Sequence, residues 1–293
     1  MSTYNGEKYL REQIDSILAQ KEVKIELLVR DDGSSDNTIA ILDEYKEKKL
    51  LDWYDGENLG PARSFLDLLI KAGEYDYYAF SDQDDYWIPE KLNVAIKKLE
   101  DIDENIPAVY FSNKEIVDEH LENGRLADSV APVVSFRSSI VRNIATGCTM
   151  VFNAKLRDKV LIYQPKYLEM HDSWIYRVCL AIKGRAIYDG NAYIKYRQHS
   201  RNVIGANDGV LVKIERRTKK FFDPDHEREK VSKELLKGYA NFMYQADKDW
   251  LEDLKRYRTD RRAKKRLLRD KSYKTEKVDT NFIYKLALRF GKV

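Results

Sequence analysis

The sequence predicts an α/β fold, a parallel sheet with helices on both faces, followed by a basic helical C-terminal extension. Two observations carry this prediction. Through about the first hundred residues, short apolar runs alternate with segments whose apolar residues recur at helical spacing, which is typical of a parallel sheet covered by helices. Beyond Gly209 the chain is charged and carries no strand signal, and residues 211–275 have a net charge of +9.

The first half of the chain gives the clearest elements. Apolar residues at helical spacing predict a helix over Glu7–Gln20. The mostly apolar runs Val23–Arg30 and Tyr75–Ser81 have the length of strands and the composition of strands buried on both faces. The other elements predicted here are a helix capped by the turn Asp31–Thr38, a short strand at Leu51–Tyr54, a helix through Phe65–Ile70 and a helix with Pro89 in its first turn.

The second half is less regular. Ala108–Ser112 and Thr149–Asn153 are predicted strands, and the stretch between them is left unassigned. His171–Gly184 is predicted to be a helix, because its apolar residues share one face and its final glycine is a common helix end. Two further strands are predicted at residues 186–190 and 193–197.

Composition and cysteine content exclude several classes of protein. With 43% hydrophobic and 34% charged residues, the 293-residue chain can bury a core and is not intrinsically disordered. Its two cysteines, Cys148 and Cys179, form no CxxC pair, which argues against a disulfide scaffold or zinc knuckle and for a reducing compartment. No uncharged apolar run approaches the ~20 residues of a membrane helix, and the N-terminus does not resemble a signal peptide. We therefore expect a cytoplasmic protein, soluble or peripheral at the membrane.

Two acidic turns follow the two strongest predicted strands. Asp31 and Asp32 end the first strand, and Asp82, Asp84 and Asp85 follow the second. Five carboxylates at one sheet edge repel one another unless a cation lies between them, and such oxygen ligands suit Mg²⁺ or Mn²⁺. Helix capping would explain one such turn but explains two poorly. Walker, GxGxxG, GxSxG and HExxH motifs are absent, which disfavours the functions that those motifs carry.

Seven sequence blocks occur in order over residues 2–205. They are STYNGEKYL (Ser2–Leu10), VRDDGSSDNT (Val29–Thr38), ENLGPARSF (Glu57–Phe65), FSDQDDYWIPEKL (Phe80–Leu92), ATGCTMVFN (Ala145–Asn153), HDSW (His171–Trp174) and YRQHSRNVIG (Tyr196–Gly205). Together these blocks resemble glycosyltransferase family 2 and, within it, bacterial rhamnosyltransferases of surface-polysaccharide assembly. TYN, DDGS and DxDD are each common motifs, whereas seven blocks in order are highly specific.

The resemblance implies a GT-A fold. Its catalytic domain would span residues 1–209, with a nucleotide-binding half at about 1–106 and an acceptor-binding half at about 107–209, and residues 210–293 would form the basic helical region. Members of the family have an apolar strand of about five residues before the STYN block, where this sequence has only Met1. The resemblance therefore predicts either a truncated start or a first strand that is missing or replaced.

The resemblance also implies roles for individual residues. Asp172 in HDSW matches the general base of the family, and Asp82 and Asp84 match its DxD metal site for Mg²⁺ or Mn²⁺, with His199 as a further candidate ligand. Residues implied in nucleotide-sugar binding are Thr3 and Tyr4 near the base, Asp31 and Asp32 at the pyrimidine and ribose, and Arg63, Asp82, Arg197 and His199 at the diphosphate. Residues expected on the acceptor side are Asp85, Trp87, Gly147, Cys148 and Trp174, and the two tryptophans are equally explained as core residues.

By this resemblance we expect an inverting, metal-dependent transferase that moves L-rhamnose from dTDP-L-rhamnose to a hydroxyl of a lipid-linked or growing cell-surface polysaccharide. A UDP-sugar donor for the same kind of acceptor is an alternative. A nucleotidyltransferase would also combine an acidic metal site with a sugar, but the glycine- and lysine-rich N-terminal loop usual in such enzymes is absent. A membrane- or nucleic-acid-binding module centred on Arg261–Arg269 would leave the acidic turns unexplained, and we expect no nucleic-acid partner.

The final segment, Asn281–Val293, can place Phe282, Ile283, Leu286 and Phe290 on one helical face beside basic residues. A basic amphipathic helix of this kind can lie on the anionic inner leaflet of a membrane. The alternative, which has equal weight, is a helix packed on the catalytic domain or on a second subunit of a homodimer.

Overall fold

The structure is a computed structural model that describes residues 1–199 and 226–293. The strands are β1 (Ser2–Thr3), β2 (Leu28–Asp31), β3 (Asp52–Asp55), β4 (Tyr77–Ala79), β5 (Tyr86–Trp87), β6 (Ala108–Val117), β7 (Arg125–Leu126), β8 (Val151–Asn153) and β9 (Arg185–Arg197). The helices are α1 (Leu10–Leu18), α2 (Thr38–Glu47), α3 (Gly60–Lys71), α4 (Lys91–Glu100), α5 (Phe136–Val141), α6 (Ala154–Leu161), α7 (His171–Ala181), α8 (Glu227–Tyr239), α9 (Gln245–Arg256), α10 (Arg261–Arg269) and α11 (Val278–Phe290). A 3₁₀ turn covers Gly147–Thr149.

The strands form two sheets. In the first sheet β1, β2 and β3 are parallel, with Thr3 opposite Asp31 and Arg30 opposite Tyr54. The second sheet has the order β4-β8-β6-β9-β5, with β7 beside β6. The expected parallel sheet is thus confirmed for β1–β3 and wrong for β4, which pairs antiparallel with β8. The partner of β4 comes from a remote part of the chain, so the local alternation of strands and helices could not reveal it.

Three strand boundaries also differ from the prediction. β2 begins at Leu28 rather than Val23, and residues 23–27 before it belong to no strand. The two strands predicted at residues 186–190 and 193–197 are one strand, because β9 continues past an irregularity and stays parallel to β6. β6 in turn extends to Val117, five residues beyond its predicted end.

Two apolar clusters hold these layers together. One lies between the first sheet and helices α1, α2 and α4, and includes Leu10, Ile14 and Val29. The other surrounds α7 and also contains side chains of the C-terminal helices, among them Leu235 and Leu288. The predicted helical C-terminal region therefore shares a core with α7. The proposed domain boundary at residue 209 lies outside the described residues, and no helix in the described ranges is long and apolar enough to cross a membrane.

Candidate active site

Backbone N–H groups of the loop after β1 donate to side-chain hydroxyls of the turn after β2 and of the first residue of α2. The backbone N–H of Asn5 donates to Ser34 Oγ at 2.8 Å, and the N–H of Gly6 donates to Thr38 Oγ1 at 2.8 Å. Gly33 has φ +87 in the same turn, a conformation that glycine adopts without strain. The Ser-, Asn- and Gly-rich motifs therefore form one hydrogen-bonded rim at the carboxyl end of the first sheet.

Asp31 is hydrogen-bonded mainly to its own turn. One oxygen accepts from the N–H groups of Gly33 and Ser34 at 3.0 and 2.7 Å. The other accepts from Thr3 Oγ1 at 3.0 Å and from the hydroxyl of Ser34. Since a carboxylate offers about four acceptor sites, these contacts occupy the capacity of Asp31, and its direct contact with a pyrimidine stays a prediction.

Asp32 lies in a buried network at the start of α3. Its Oδ1 accepts from Ser64 Oγ at 2.6 Å and from the Arg30 guanidinium, and its Oδ2 accepts from the N–H of Gly60 at 2.9 Å. Hydrogen bonds from Ser64 and from the helix start, together with the charge of Arg30, outweigh burial and lower the pKa of the Asp32 carboxyl. Oδ2 keeps one acceptor site, so Asp32 is better placed than Asp31 to meet a ligand.

The first rim reaches the acidic loop through Tyr4. Its backbone N–H donates to Gln83 Oε1 at 2.8 Å, and its carbonyl accepts from Gln83 Nε2 at 3.1 Å. The Tyr4 side chain is 49% exposed, so its ring is open to solvent at this junction. Arg63 is half-buried and donates to the carbonyl of Lys166 at 2.7 Å, so its contact with a diphosphate stays a prediction.

Asp82 and Asp85 converge beside Cys148, with ligand atoms of all three within 4.8 Å of one another. Burial, reinforced by the charges of Asp84 and Asp172, raises the pKa of Asp82 to about 7. Burial also raises the pKa of the Cys148 thiol well above its ordinary value, so this sulfur is protonated and is a poor ligand for hard cations. The oxygen donors of the loop are of the type that Mg²⁺ and Mn²⁺ prefer, which makes it a possible cation site.

The end of β9 contacts the acidic loop through Arg197. Arg197 is buried, its Nε donates to the carbonyl of Asp84 at 2.8 Å, and its backbone N–H donates to Asp85 Oδ1 at 3.2 Å. The rest of the guanidinium binds the carboxylate of Glu12 and the carbonyl of Glu119. His199 Nε2 lies 2.8 Å from Asp84 Oδ2. The structure thus brings both residues to the acidic loop, while their contact with a diphosphate stays a prediction.

Asp172 lies in the first turn of α7 and faces the 3₁₀ turn. Its Oδ2 accepts from the N–H of Gly147 at 3.0 Å, and its Oδ1 accepts from Asn143 Nδ2 at 3.1 Å and from the N–H of Ser173. Burial raises the pKa of Asp172 to about 6, although these backbone donors oppose the shift. A carboxylate with this pKa is largely ionised at neutral pH and can still accept a proton.

The sequence did not predict two residues that lie near the acidic loop and Asp172. Lys114 on β6 donates to Thr146 Oγ1 at 3.1 Å. Its positive charge opposes the rise that burial causes in the pKa of Asp82 and of Asp172. Asn143 holds Asp172 from the segment after α5. Lys114 follows the predicted strand Ala108–Ser112 by two positions, so a longer strand assignment would have placed it at this edge of the sheet.

The two predicted stacking residues are buried. Trp87 presents its ring to Lys91, whose Nζ lies 3.6 Å from the ring centroid. Trp174 packs between Tyr163 and Tyr239, with ring centroids 6.4 and 5.9 Å away. These positions favour the core explanation for both rings, and sugar stacking stays an untested prediction.

The acidic turns lie outside a further groove of the described structure. A groove of about 1440 Å³ lies between Val23–Leu28 and Gly73–Ala79, before the carboxyl ends of β2 and β4. The acidic turns lie at the other ends of these strands. Ligands of open α/β sheets bind beyond the carboxyl ends, so we place the chemistry at the turns.

The mixed α/β fold, with acidic turns beyond the carboxyl ends of β2 and β4, is of the GT-A class. The family model described as "Glycosyl transferase family 2" matches residues 1–161, and the chain belongs to this family. It is a glycosyltransferase, and its curated relatives include rhamnosyl and glucosyl transferases.

Three comparisons show the range of relatives. The chain is 30% identical over 234 residues to the dTDP-rhamnosyl transferase RfbG of Shigella flexneri, covering 74% of this chain and 77% of the relative. It is 31% identical over 151 residues to the Escherichia coli UDP-Glc:alpha-D-GlcNAc-diphosphoundecaprenol beta-1,3-glucosyltransferase WfgD, covering 52% of this chain and 57% of the relative. The structure of Staphylococcus aureus TarS 1–349 with UDP-GlcNAc aligns with a TM-score of 0.59 and 21% identity, covering 98% of this chain and 77% of TarS. Against several Rickettsia glycosyltransferases, the chain spans 29% to 62% of the relative's length.

Proposed function

We propose that this protein is an inverting, metal-dependent glycosyltransferase that moves L-rhamnose from dTDP-L-rhamnose to a hydroxyl of a lipid-linked or growing cell-surface polysaccharide. One observation carries the catalytic part of the proposal. The Asp172 carboxylate accepts the N–H of Gly147, and the sulfur of the next residue, Cys148, lies within 4.8 Å of ligand atoms of Asp82 and Asp85. A candidate base and a candidate metal-facing carboxylate therefore share one site.

Asp172 is the proposed general base. An acceptor hydroxyl is a weak nucleophile at neutral pH, and a carboxylate within reach can remove its proton as the new glycosidic bond forms. Hydrogen bonds from Gly147 and Asn143 fix the orientation of Asp172. Attack from the side of Asp172, with the diphosphate leaving from the opposite face, inverts the configuration at the anomeric carbon.

Asp82 and Asp84 are the proposed holders of Mg²⁺ or Mn²⁺, with His199 as a further candidate ligand. Their carboxylate chemistry fits such an ion, and His199 Nε2 is already 2.8 Å from Asp84. The bound ion would neutralise charge that develops on the leaving diphosphate. Arg63 and Arg197 are the proposed protein cations for the same charge.

Thymidine diphosphate is the proposed nucleotide part of the donor, because a family relative is named a dTDP-rhamnosyl transferase. The exposed ring of Tyr4 and the remaining acceptor site of Asp32 would face the base and ribose, while Thr3 and Asp31 shape the rim behind them. A UDP-hexose is the second candidate, since another relative is named a UDP-glucose enzyme.

Acceptor binding is proposed near the 3₁₀ turn, where Gly147 and Cys148 lie between Asp172 and Asp85. WfgD is named for a diphosphoundecaprenol-linked acceptor, and we extend this acceptor class to the present chain. A lipid-linked acceptor would bring the enzyme to the inner face of the cell membrane.

A membrane-facing surface is proposed on α11. Tyr284 and Leu288 are buried against the rest of the chain, whereas Val278 and Phe282 are 82% and 67% exposed. Lys285 is exposed on the same helix, and basic residues beside an apolar stripe favour anionic lipid surfaces. Phe282→Glu should reduce co-sedimentation with anionic vesicles, while Leu126→Glu, at an exposed position on β7, should not. Loss of dimer by Phe282→Glu without any vesicle binding by wild type would assign this face to a second subunit instead.

The donor proposal is tested by transfer and hydrolysis assays over a panel of nucleotide-sugars, each with and without Mn²⁺, alongside calorimetric titration with dTDP, UDP, GDP and ADP. We expect dTDP-L-rhamnose to be the best donor and both pyrimidine nucleotides to bind better than the purine nucleotides. Preference for a purine nucleotide would overturn the base-pocket assignment, and full activity in a chelator would overturn the metal assignment.

A further inference from the structure

A buried histidine precedes the proposed base in sequence. His171, the first residue of α7, is 3% exposed, and neither of its ring nitrogens has a hydrogen-bond partner among the described residues. Its ring centroid lies 4.0 Å from that of Phe65 on α3 and 4.8 Å from that of Phe80, just before the acidic loop. Burial lowers the pKa of His171 to about 3, so the imidazole is neutral at physiological pH. Packing, rather than charge or hydrogen bonding, therefore holds this ring in place.

The outer edge of the imidazole meets the backbone of Gly147. A Cβ on Gly147 would lie 2.6 Å from His171 Nε2 and 3.3 Å from His171 Cε1, so one of the two groups would have to move. Gly147 lies in a 3₁₀ turn and lacks the left-handed φ of Gly33 and Gly60. Residues with side chains adopt 3₁₀ turns readily. The need for glycine at this position therefore comes from the imidazole and not from the backbone conformation.

Gly147 in turn holds the proposed base. Its N–H donates to Asp172 Oδ2 at 3.0 Å, and its carbonyl accepts from the N–H of Met150 at 3.0 Å, which closes the turn. Any displacement of Gly147 therefore moves a hydrogen-bond donor of Asp172. Because protein interiors are closely packed, a ring that already rests on Phe65 and Phe80 leaves the turn little freedom to shift.

We infer that His171 is a positioning residue for Asp172. Its imidazole fixes Gly147 by direct contact, and Gly147 fixes one oxygen of the carboxylate through its N–H. The same ring joins this turn to α3 and to the residue that leads into the acidic loop. The functional part of the inference rests on the proposed role of Asp172 as the base.

A double-mutant cycle tests the contact from both sides. His171→Leu keeps buried bulk but lacks the two outer ring atoms, Cε1 and Nε2, that face Gly147. Gly147→Ala adds a methyl group at the same contact, and the third protein carries both substitutions. The matched controls are His120→Leu, at an exposed histidine, and Gly190→Ala, where an added Cβ meets no atom within 4 Å. Each protein is measured by its melting temperature, by its transfer rate and by calorimetric titration of dTDP.

A cysteine reports the position of the turn without any substrate. Cys148 follows Gly147 and is buried, and Cys179, further along α7, is buried as well. They are the two cysteines of the sequence. The rate of alkylation of each thiol by iodoacetamide is read separately by mass spectrometry of the peptides. Displacement of the turn should speed up alkylation of Cys148 relative to that of Cys179.

His171→Leu and Gly147→Ala should each lower the transfer rate about tenfold or more without a change in dTDP affinity, because a misplaced base slows the reaction and does not touch the nucleotide. The double variant should transfer no more slowly than the worse single variant, since the added methyl group takes the space that leucine leaves. Alkylation of Cys148 should be faster in both single variants and return toward the wild-type rate in the double variant.

Folded His171→Leu with wild-type transfer and wild-type alkylation of Cys148 would overturn the positioning role. Losses that multiply in the double variant would overturn it as well, and so would a fall in dTDP affinity as large as the fall in transfer rate. His171→Asn also lacks both outer ring atoms and takes the place of His171→Leu if the leucine variant does not fold. If wild type transfers no sugar from any nucleotide-sugar tested, the proposed function fails, and the alkylation cycle still decides whether His171 fixes the turn.

Discussion

The Asp172 carboxylate should leave a measurable signature in the pH dependence of stability. Burial raises its pKa from 3.8 to about 6, and each pKa unit corresponds to ~1.4 kcal/mol. Ionised Asp172 therefore destabilises the folded state by roughly 3 kcal/mol relative to its protonated form. Asp172→Asn removes this ionisation and keeps the shape of the side chain.

The sign of the effect follows from proton binding. Between about pH 4 and pH 6, the folded state holds a proton on Asp172 that the unfolded state has released, so this group makes wild type less stable as the pH rises. The stability that Asp172 contributes is fully present below the pKa of this carboxyl in the unfolded state. It is lost as the pH rises through the pKa of the same carboxyl in the folded state. The free energy of unfolding of wild type minus that of Asp172→Asn should fall by about 2.4 kcal/mol from pH 4 to pH 7.

The absolute stability of the variant at pH 8 is the balance of two effects. Both oxygens of Asp172 accept hydrogen bonds, whereas asparagine has only one acceptor oxygen. Either Gly147 or Ser173 therefore loses the partner of its N–H. An unsatisfied buried N–H costs about 1–3 kcal/mol of stability. This loss offsets most of the gain from removing the buried charge. We therefore expect the variant to be as stable as wild type at pH 8, or more stable by up to about 2 kcal/mol.

The transfer rate should rise with pH over the range in which the stability that Asp172 contributes falls. The base must be ionised, so kcat/KM of wild type should fall about tenfold per pH unit below pH 6. Asp172→Asn should lower the transfer rate ~10²–10⁴-fold and keep donor affinity, because an amide cannot take the proton. The measurements are chemical denaturation from pH 4 to 8 and transfer assays over the same range. Asp101→Asn, at an exposed position, serves as the control.

If the difference in free energy of unfolding between wild type and Asp172→Asn does not change from pH 4 to 7, the raised pKa of Asp172 is refuted. Transfer by Asp172→Asn at nearly the wild-type rate would remove the residue from the mechanism, and Asp85 would be the next carboxylate to test. Loss of both folding and transfer at pH 8 would show that Asp172 is chiefly a structural residue of the α7 start.

Three further predictions concern the walls of the site. Arg30→Met should lower the free energy of unfolding by about 3–5 kcal/mol in denaturation experiments, because Asp32 loses its buried cation. Gly147→Ala should reduce transfer, since a Cβ there would lie 2.6 Å from His171 Nε2; an alanine variant with wild-type rate would show that the turn can shift. Asp84→Asn should abolish Mn²⁺-dependent nucleotide binding in calorimetry and leave the melting temperature within about 2 °C, because the loop carboxylate adds little to the core.

The parts of the site built by local contacts were predictable from sequence. Asp31 binds Gly33 and Ser34, two and three residues away, and turns of this kind follow from the residue types themselves. The helix that carries Asp172 is likewise set by the spacing of apolar residues over its own length. In such segments the interactions that determine the structure lie within one or two turns of chain.

The contacts that span the chain were not predictable. Arg197 joins Glu12, Asp84 and Glu119, which lie far apart in sequence. The likeness of motifs predicted that Arg197 lies at the donor site, but only the fold shows that its guanidinium is already bound by the protein. The antiparallel pairing of β4 with β8 has the same origin, since strand order depends on tertiary packing rather than on local propensity.

Burial alone does not decide which acidic residue can serve as a base. Asp85 and Asp172 are both buried, and burial raises the pKa of both. Asp172 receives three hydrogen bonds, two of them from backbone N–H groups that cannot move away, so its charged form persists at neutral pH. Asp85 receives only one hydrogen bond within the described residues, from the backbone N–H of Arg197, and its Oδ2 is buried without a partner there. The hydrogen-bond donors around the two carboxylates therefore favour Asp172 over Asp85 as the proposed base.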